Sequence, residues 1–279
     1  MYYSKTKREK IGQCNLCLEI KPLSWDHVPP KGGIELSTME MKNLFNIFTG
    51  NLEDKIRESQ NGLKFRTLCK ECNELLGQNY DPTVNEFAFS VGKYLKSSLK
   101  FPPIIHHKTN PIRLMKGILG HLVAAKLEPD ECLFDSTVRD IIFNENTSIP
   151  EQLNIFYWIY PYNHTVIMRD FAMPSIRGNF SNFGFFQIIK YFPIAFLVTD
   201  LPNYEGLFEL TKFRKFSIND EIDIPIQLNR IEHLYWPEIV DAGNILLGGH
   251  AASNSISASP KTKKSRGTSK GQVMSLEFP

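Results

Sequence analysis

The chain has 279 residues, enough for one large domain or two smaller ones, and its 42% hydrophobic and 22% charged residues are ordinary for a soluble globular protein. The formal net charge of +2 excludes a strongly polyanionic or polycationic chain. No apolar run reaches the roughly 18 residues that a spanning helix needs, so no membrane partner is expected. The opening MYYSKTKREK is charged and lacks the apolar stretch of a secretory signal, which makes the cytoplasm the expected compartment.

Charge is uneven along the chain. Residues 1–100 carry 15 Lys and Arg against 12 acids, 201–250 carry 4 against 8, and 251–279 carry 5 against 1. The N-terminal surplus fits an anionic partner or a plain solvated face.

In chain order, the basic leader precedes a C-x-x-C pair, Cys14 and Cys17, which is followed by SWDHVPP at residues 24–30. Residues 34–60 read as a helical insert interrupted at Gly50, and LKFRTLC (63–69) alternates as a strand does. A second pair, Cys69 and Cys72, leads into NELLGQ, a plausible helix start. After Asp81-Pro82 comes an amphipathic helix with Val84, Phe87, Val91, Tyr94, Leu95 and Leu99 along one side.

Another amphipathic helix is expected over about 112–127, and a shorter one after Asp135 as N-cap. Beyond Pro150 the runs NIFYWIY, HTVIMRDFAM, GFFQIIKYF and IAFLVTD are aromatic and β-branched, which predicts an antiparallel sheet. Residues 249–279 are small, basic and low in complexity, and disorder is expected there. The fold class is therefore α+β, with a module over 1–80, a larger mixed domain with an antiparallel sheet over 81–248, and a basic tail.

Two C-x-x-C pairs in a cytoplasmic chain suit one tetrahedral Zn²⁺ better than disulfides. The 51 residues between Cys17 and Cys69 exceed the usual zinc-ribbon gap, so that segment needs structure of its own. Cys132 stands apart and reads as a small buried hydrophobe. His106-His107, His121 and His164 read as surface or helix-face histidines rather than ligands.

Three pieces occur in order: CNLC, then WDHVPP, then LCKECN, whose last residue is Asn73. Over about residues 11–80 this pattern resembles the HNH, or ββα-metal, nuclease family in its zinc-stapled form. The closing Asn makes it similar to the subgroup that includes the phage junction resolvase endonuclease VII. The resemblance implies a ββα, treble-clef-like module closed by a structural zinc on Cys14, Cys17, Cys69 and Cys72. It further implies phosphodiester hydrolysis, with His27 as general base and Asp26 and Asn73 holding a catalytic cation.

The chemistry is coherent with these residue types. Water attacking phosphorus needs a base, and an unperturbed imidazole has a pKa near 6.5. Developing charge needs a cation, and two hard oxygen donors favour Mg²⁺ or Mn²⁺. Adjacent strand residues point to opposite sides, so the Val-Pro-Pro bend is expected to turn Asp26 and His27 toward one ion.

The chain departs from the family where a structural Asn usually precedes the second C-x-x-C by about five residues. That position is Lys64, and Asn61 is the nearest substitute. Lys31, Lys64, Arg66 and Lys70 are candidate phosphate contacts, with solvated lysines as the alternative.

The expected function is a metal-dependent HNH endonuclease, acting on DNA in preference to RNA, in the settings of anti-phage defence or mobile elements where such relatives serve. The residues after 80 carry no readable motif; they could choose the substrate, form a homo-oligomer or receive an activating partner. The competing expectation is a zinc-stapled module that binds nucleic acid or protein without catalysis.

Overall fold

The computed structural model describes residues 4–32, 37–48, 56–129, 132–174, 183–204, 206–228, 236 and 247–261. In chain order its elements begin with strands β1 (Ile11–Gln13), β2 (Ile20–His27) and β3 (Met39–Asn43), then helix α1 (Leu44–Phe48), β4 (Arg57–Ser59) and β5 (Lys64–Cys69). Helices α2 (Lys70–Asn79) and α3 (Asp81–Lys96) follow, then β6 (Ile104–Thr109), α4 (Pro111–Ala124) and α5 (Leu133–Phe143). The remaining strands are β7 (Asn154–Ile159), β8 (Thr165–Pro174), β9 (Phe183–Tyr191), β10 (Ile194–Thr199), β11 (Phe208–Glu209), β12 (Ile222–Gln227), β13 (Leu247–Gly248) and β14 (Ile256–Pro260). The chain is α+β with antiparallel sheets, as the residue pattern predicts.

The large sheet runs in the order β11-β7-β10-β9-β8-β14-β3-β4, with β13 added beside β8. Its central strands are apolar without a break because both faces are covered. Along β7, Ile155, Tyr157 and Ile159 join the core shared with α3, α4 and α5, while Phe156, Trp158 and, just past the strand, Tyr160 face a second cluster with Phe171, Phe186 and Leu197. In β10 all six residues are buried.

A smaller sheet, β1-β2-β5, carries the cysteine pairs, and β12 pairs with β6 as a two-stranded ribbon. Helix α4 lies between the two larger sheets in sequence and packing: nearly every residue it contains is buried. Gly117 and Gly120 let its neighbours close in, since a Cβ would stand 2.5 Å from Val84 of α3 and 2.6 Å from Leu76 of α2.

Several expectations need correction. Residues 39–43 and 57–59 of the expected helical insert are strands, because Met39 and Met41 alternate with more exposed residues at period two and pair on the edge of the large sheet. Residues 44–48 of that insert are helical, as expected, and its residues 34–36 and 49–55 lie outside the described residues.

The tail expected to be disordered supplies a 3₁₀ turn at His250–Asn254 and then β14, inserted between β8 and β3. Its small residues fit this slot: Ile256 and Ala258 are buried in the core. Residues 262–279 lie outside the described set. Leu99 falls beyond the end of α3 and is exposed, and α5 is capped at Cys132 with Asp135 buried in its first turn. No described helix is long and apolar enough to cross a membrane.

Candidate functional site

The first knuckle turns at Leu18, whose backbone takes a φ of +62°, and closes with Leu18 N–H donating to the Cys14 carbonyl at 3.0 Å. Its neighbour Asn15 is wholly buried, and Asn15 Nδ2 donates to the carbonyls of Val123 and Lys126 at 3.0 and 2.8 Å. Val123 is in the last turn of α4 and Lys126 lies just past its end, so the knuckle caps that helix. The second knuckle starts α2, and the Cys69 N–H points at Cys14 Sγ at 3.3 Å.

All four sulfurs lie within 4.8 Å of one another, with Cys17 and Cys69 Sγ 3.8 Å apart. A disulfide needs about 2.05 Å, and a tetrahedral zinc with Zn–S near 2.3 Å sets sulfurs about 3.8 Å apart. All of these cysteines are free thiols. A hydrogen bond from Cys72 pulls Cys14 down to about 5, against burial, while the same contact pushes Cys72 up. Crowded thiols that compete for protons are what one soft dication relieves. Donor type and spacing both fit a zinc ion on Cys14, Cys17, Cys69 and Cys72.

The cysteine cluster brings α2 against β2. Asn73 Nδ2 donates to the Trp25 carbonyl at 2.9 Å and to Ser24 Oγ at 3.1 Å, at the point where the β2–β5 register shifts. Because a carbonyl only accepts, this fixes the amide with Nδ2 toward β2 and leaves Oδ1 as its remaining acceptor.

His27 ends β2, and its Nε2 lies 3.0 Å from the carbonyl of Asn61. Asn61 contributes through its backbone: with φ at +57°, followed by Gly62 at +85°, it makes a left-handed turn whose carbonyl faces the ring. Burial holds the His27 pKa below its ordinary value, despite the Asn61 carbonyl, and Lys64 lowers it further.

Asp26 is buried, and its Oδ2 stands 3.5 Å from Nδ1 of His121 in α4. The other ring nitrogen of His121 lies 2.8 Å from Asp81 Oδ1 at the start of α3. Burial lowers the His121 pKa, but Asp81 and Asp26 more than offset it and hold the ring at about 10.

The three expected site residues all lie at or against the C-terminal half of β2, but each is held by a different partner and they are not brought into contact with one another. Asp26 pairs with Phe65 and His27 with Lys64 in the regular ladder, so the pleat sends their side chains to opposite sides. The expected convergence through the Val-Pro-Pro bend is corrected: the bend follows both residues and leaves their directions unchanged.

Of the candidate phosphate contacts, Lys64 and Arg66 flank the exposed Trp25 ring at 5.9 and 5.3 Å. Arg66 is committed to the Arg8 carbonyl through Nε at 3.0 Å, and Lys70 pairs with Glu74 at 3.6 Å. Lys31 is exposed, with its carbonyl bonded to Asn85. Trp25, Lys7, Arg57 and Lys64 border a groove of about 740 Å³.

His121 and Asp81 are the residues that pattern reading misses, and a histidine inside the apolar run GILGHLVAA is the one sequence signal that marks a buried polar group. Cys132 is only partly buried, 3.6 Å from Lys126 Nζ. No family model matches the chain, and no curated protein or solved structure matches it.

Proposed function

We propose that this chain is a metal-dependent endonuclease of the HNH type that hydrolyses phosphodiester bonds, DNA being the favoured substrate. The carrying observation is the His27 ring. Its Nε2 faces a carbonyl that can only accept, so the proton sits on Nε2 and Nδ1 keeps its lone pair. Burial favours the neutral ring, which is the form a general base requires.

In this reading His27 Nδ1 takes a proton from the attacking water as its oxygen bonds to phosphorus. The bond to the 3′ oxygen breaks, and that oxygen then takes a proton from solvent. A divalent cation, when bound, supplies positive charge against the phosphate oxygens. Asp26 and Asn73 Oδ1 are the groups that would hold it, and a zinc on the four cysteines would keep the Asn73 helix against β2. Trp25 and Lys64 would receive a base and a phosphate.

The test is nicking of supercoiled plasmid with Mn²⁺ or Mg²⁺, with and without EDTA. Wild type nicks only with the cation, and His27→Ala is slower by about 10²–10⁴-fold. Nicking that survives the substitution removes His27 from the mechanism.

One observation favours a second reading. Asp26 and His27 leave β2 on opposite sides, which suits a zinc-stapled module that binds nucleic acid through Trp25 without cutting it. Metal-independent binding with no cleavage under any cation would select that reading.

A further inference from the structure

Asp26 Oδ2 and His121 Nδ1 are both shut off from solvent, and neither has a hydrogen-bond partner. The side chains that carry them are buried, with 5% of Asp26 and none of His121 exposed. Two polar atoms left in this state cost free energy unless something lies between them. Asp81 accepts from Nε2 at 2.8 Å, so when a cation displaces the proton from Nδ1 the remaining proton stays on Nε2 and the Nδ1 lone pair faces the Asp26 carboxylate.

Two species can join a carboxylate oxygen to an imidazole nitrogen. A proton on Nδ1 would draw the pair to about 2.7–2.9 Å, the range of a charge-assisted hydrogen bond. The separation is 3.5 Å. A metal ion about 2.1 Å from each atom would set them about 3.0 Å apart at a right angle and about 3.4 Å apart in a tetrahedral arrangement. The observed spacing is that of a metal bite.

We propose that Asp26 Oδ2 and His121 Nδ1 are two ligands of one divalent-cation site, with Asp81 as the carboxylate that orients the imidazole. A metal-bound histidine commonly donates its other N–H to such a carboxylate, which fixes tautomer and ring direction. The site is anchored from all sides. Asp26 is set by the β2–β5 ladder, His121 by α4, whose end is capped by Asn15 of the zinc knuckle, and Asp81 by the first turn of α3.

An imidazole ligand alters the metal. Carboxylate and amide oxygens alone suit Mg²⁺, whereas a nitrogen donor shifts preference to Mn²⁺ and later first-row ions. That this ion is the one serving phosphodiester hydrolysis rests on the function proposed above; the geometry of the two atoms does not.

The experiment adds Mn²⁺ alone to the zinc-loaded full chain and follows it by electron paramagnetic resonance and electron spin echo. Wild type should bind one Mn²⁺ with nitrogen modulation in the echo. Gln keeps a donor toward Asp81 and lacks the second ring nitrogen, so His121→Gln should lose the modulation and weaken binding at least about tenfold. Its melting temperature should stay close to wild type. Displacement by equimolar Mg²⁺, absence of Mn²⁺ binding, or unchanged binding and modulation in His121→Gln would each overturn the site.

Should His121→Gln fail to fold, Asp26→Asn decides the same point, because it must weaken Mn²⁺ in a protein of nearly identical shape. Plasmid nicking separates the two proposals. Cleavage that needs His27 but ignores His121→Gln overturns this site and leaves the nuclease standing. Mn²⁺ binding that is lost in His121→Gln, in a wild type that cuts nothing, does the reverse.

Discussion

The β1-β2-β5 corner and the nine-stranded sheet are held by different forces. In the large sheet the middle strands are covered on both faces, and β10 buries every residue it has. The corner is three strands of three, eight and six residues that leave Ile11, Ile20 and Trp25 exposed, 66%, 77% and 45% respectively. A sheet this small cannot gather enough apolar area alone, and here the four thiols clustered at its end could supply the missing support through a bound metal. A metal held there would let the corner carry buried polar groups such as Asp26 and Asn15, because such a cross-link does not depend on an apolar surround.

The most forceful way to break this contrast is to deny the four thiols the metal they could hold. Structural zinc sites contribute about 10–16 kcal/mol of apparent binding free energy in small domains. Chelation, or Cys72→Ser, should speed amide hydrogen exchange through residues 20–27 and 64–79, while 154–159 and 188–198 keep their protection. Uniform loss of protection would show that the corner is not an independent unit. Metal analysis of wild type should give one zinc per chain.

The reverse experiment attacks the sheet. Phe196 in β10 is fully buried, and Phe196→Ala should cost about 3–5 kcal/mol in denaturant unfolding. Zinc content should not change. A loss of zinc at concentrations where the sheet is still folded would mean that the two regions share their support.

A smaller effect comes from acid. His164, expected at the surface or on a helix face, is partly buried against Ser257 Oγ at 2.6 Å, and burial with Lys190 and Lys42 nearby lowers its pKa to about 4. The folded pKa lies below the unfolded value near 6.5, so the unfolded chain binds the extra proton between them. Stability that is present above pH 6.5 is lost as pH falls toward 4, on the order of 3 kcal/mol. His164→Asn should flatten that part of the stability–pH curve. The ring bonds β14 to the turn before β8, so this loss belongs to the sheet and not to the corner.

The smallest expected effect sharpens the corner's purpose. Trp25→Ala removes an exposed ring flanked by Lys64 and Arg66, and should weaken single-stranded DNA binding by about 1–3 kcal/mol. Stability should move by less than about 0.5 kcal/mol, as for other surface changes. Unchanged binding would take this face out of substrate recognition.

Much of this was legible along the chain. The two C-x-x-C pairs announce their cluster through residue type and spacing, and sulfurs gathered within 4.8 Å agree with it. The runs after Pro150 are long, aromatic and β-branched, so their strand character is local and survives packing. Residues 39–43 misled because MEMKN is built of good helix formers, and only the sheet edge beside β14 makes its period-two burial decisive. The tail misled for a related reason: Ser and Ala carry little hydrophobic signal, yet small residues are what the slot between β8 and β3 admits.

The sequence by itself determined the thiol cluster, the α+β class and the presence of an Asp-His pair ahead of two prolines. Tertiary structure alone decided which way that pair points. The pleat of β2 sends His27 to the Asn61 carbonyl and Asp26 to His121, and α4 reaches Asp26 because Gly117 and Gly120 let α2 and α3 close on it. Spacing along a chain encodes local geometry, whereas a contact between β2, α3 and α4 exists only once a shared core has drawn them together.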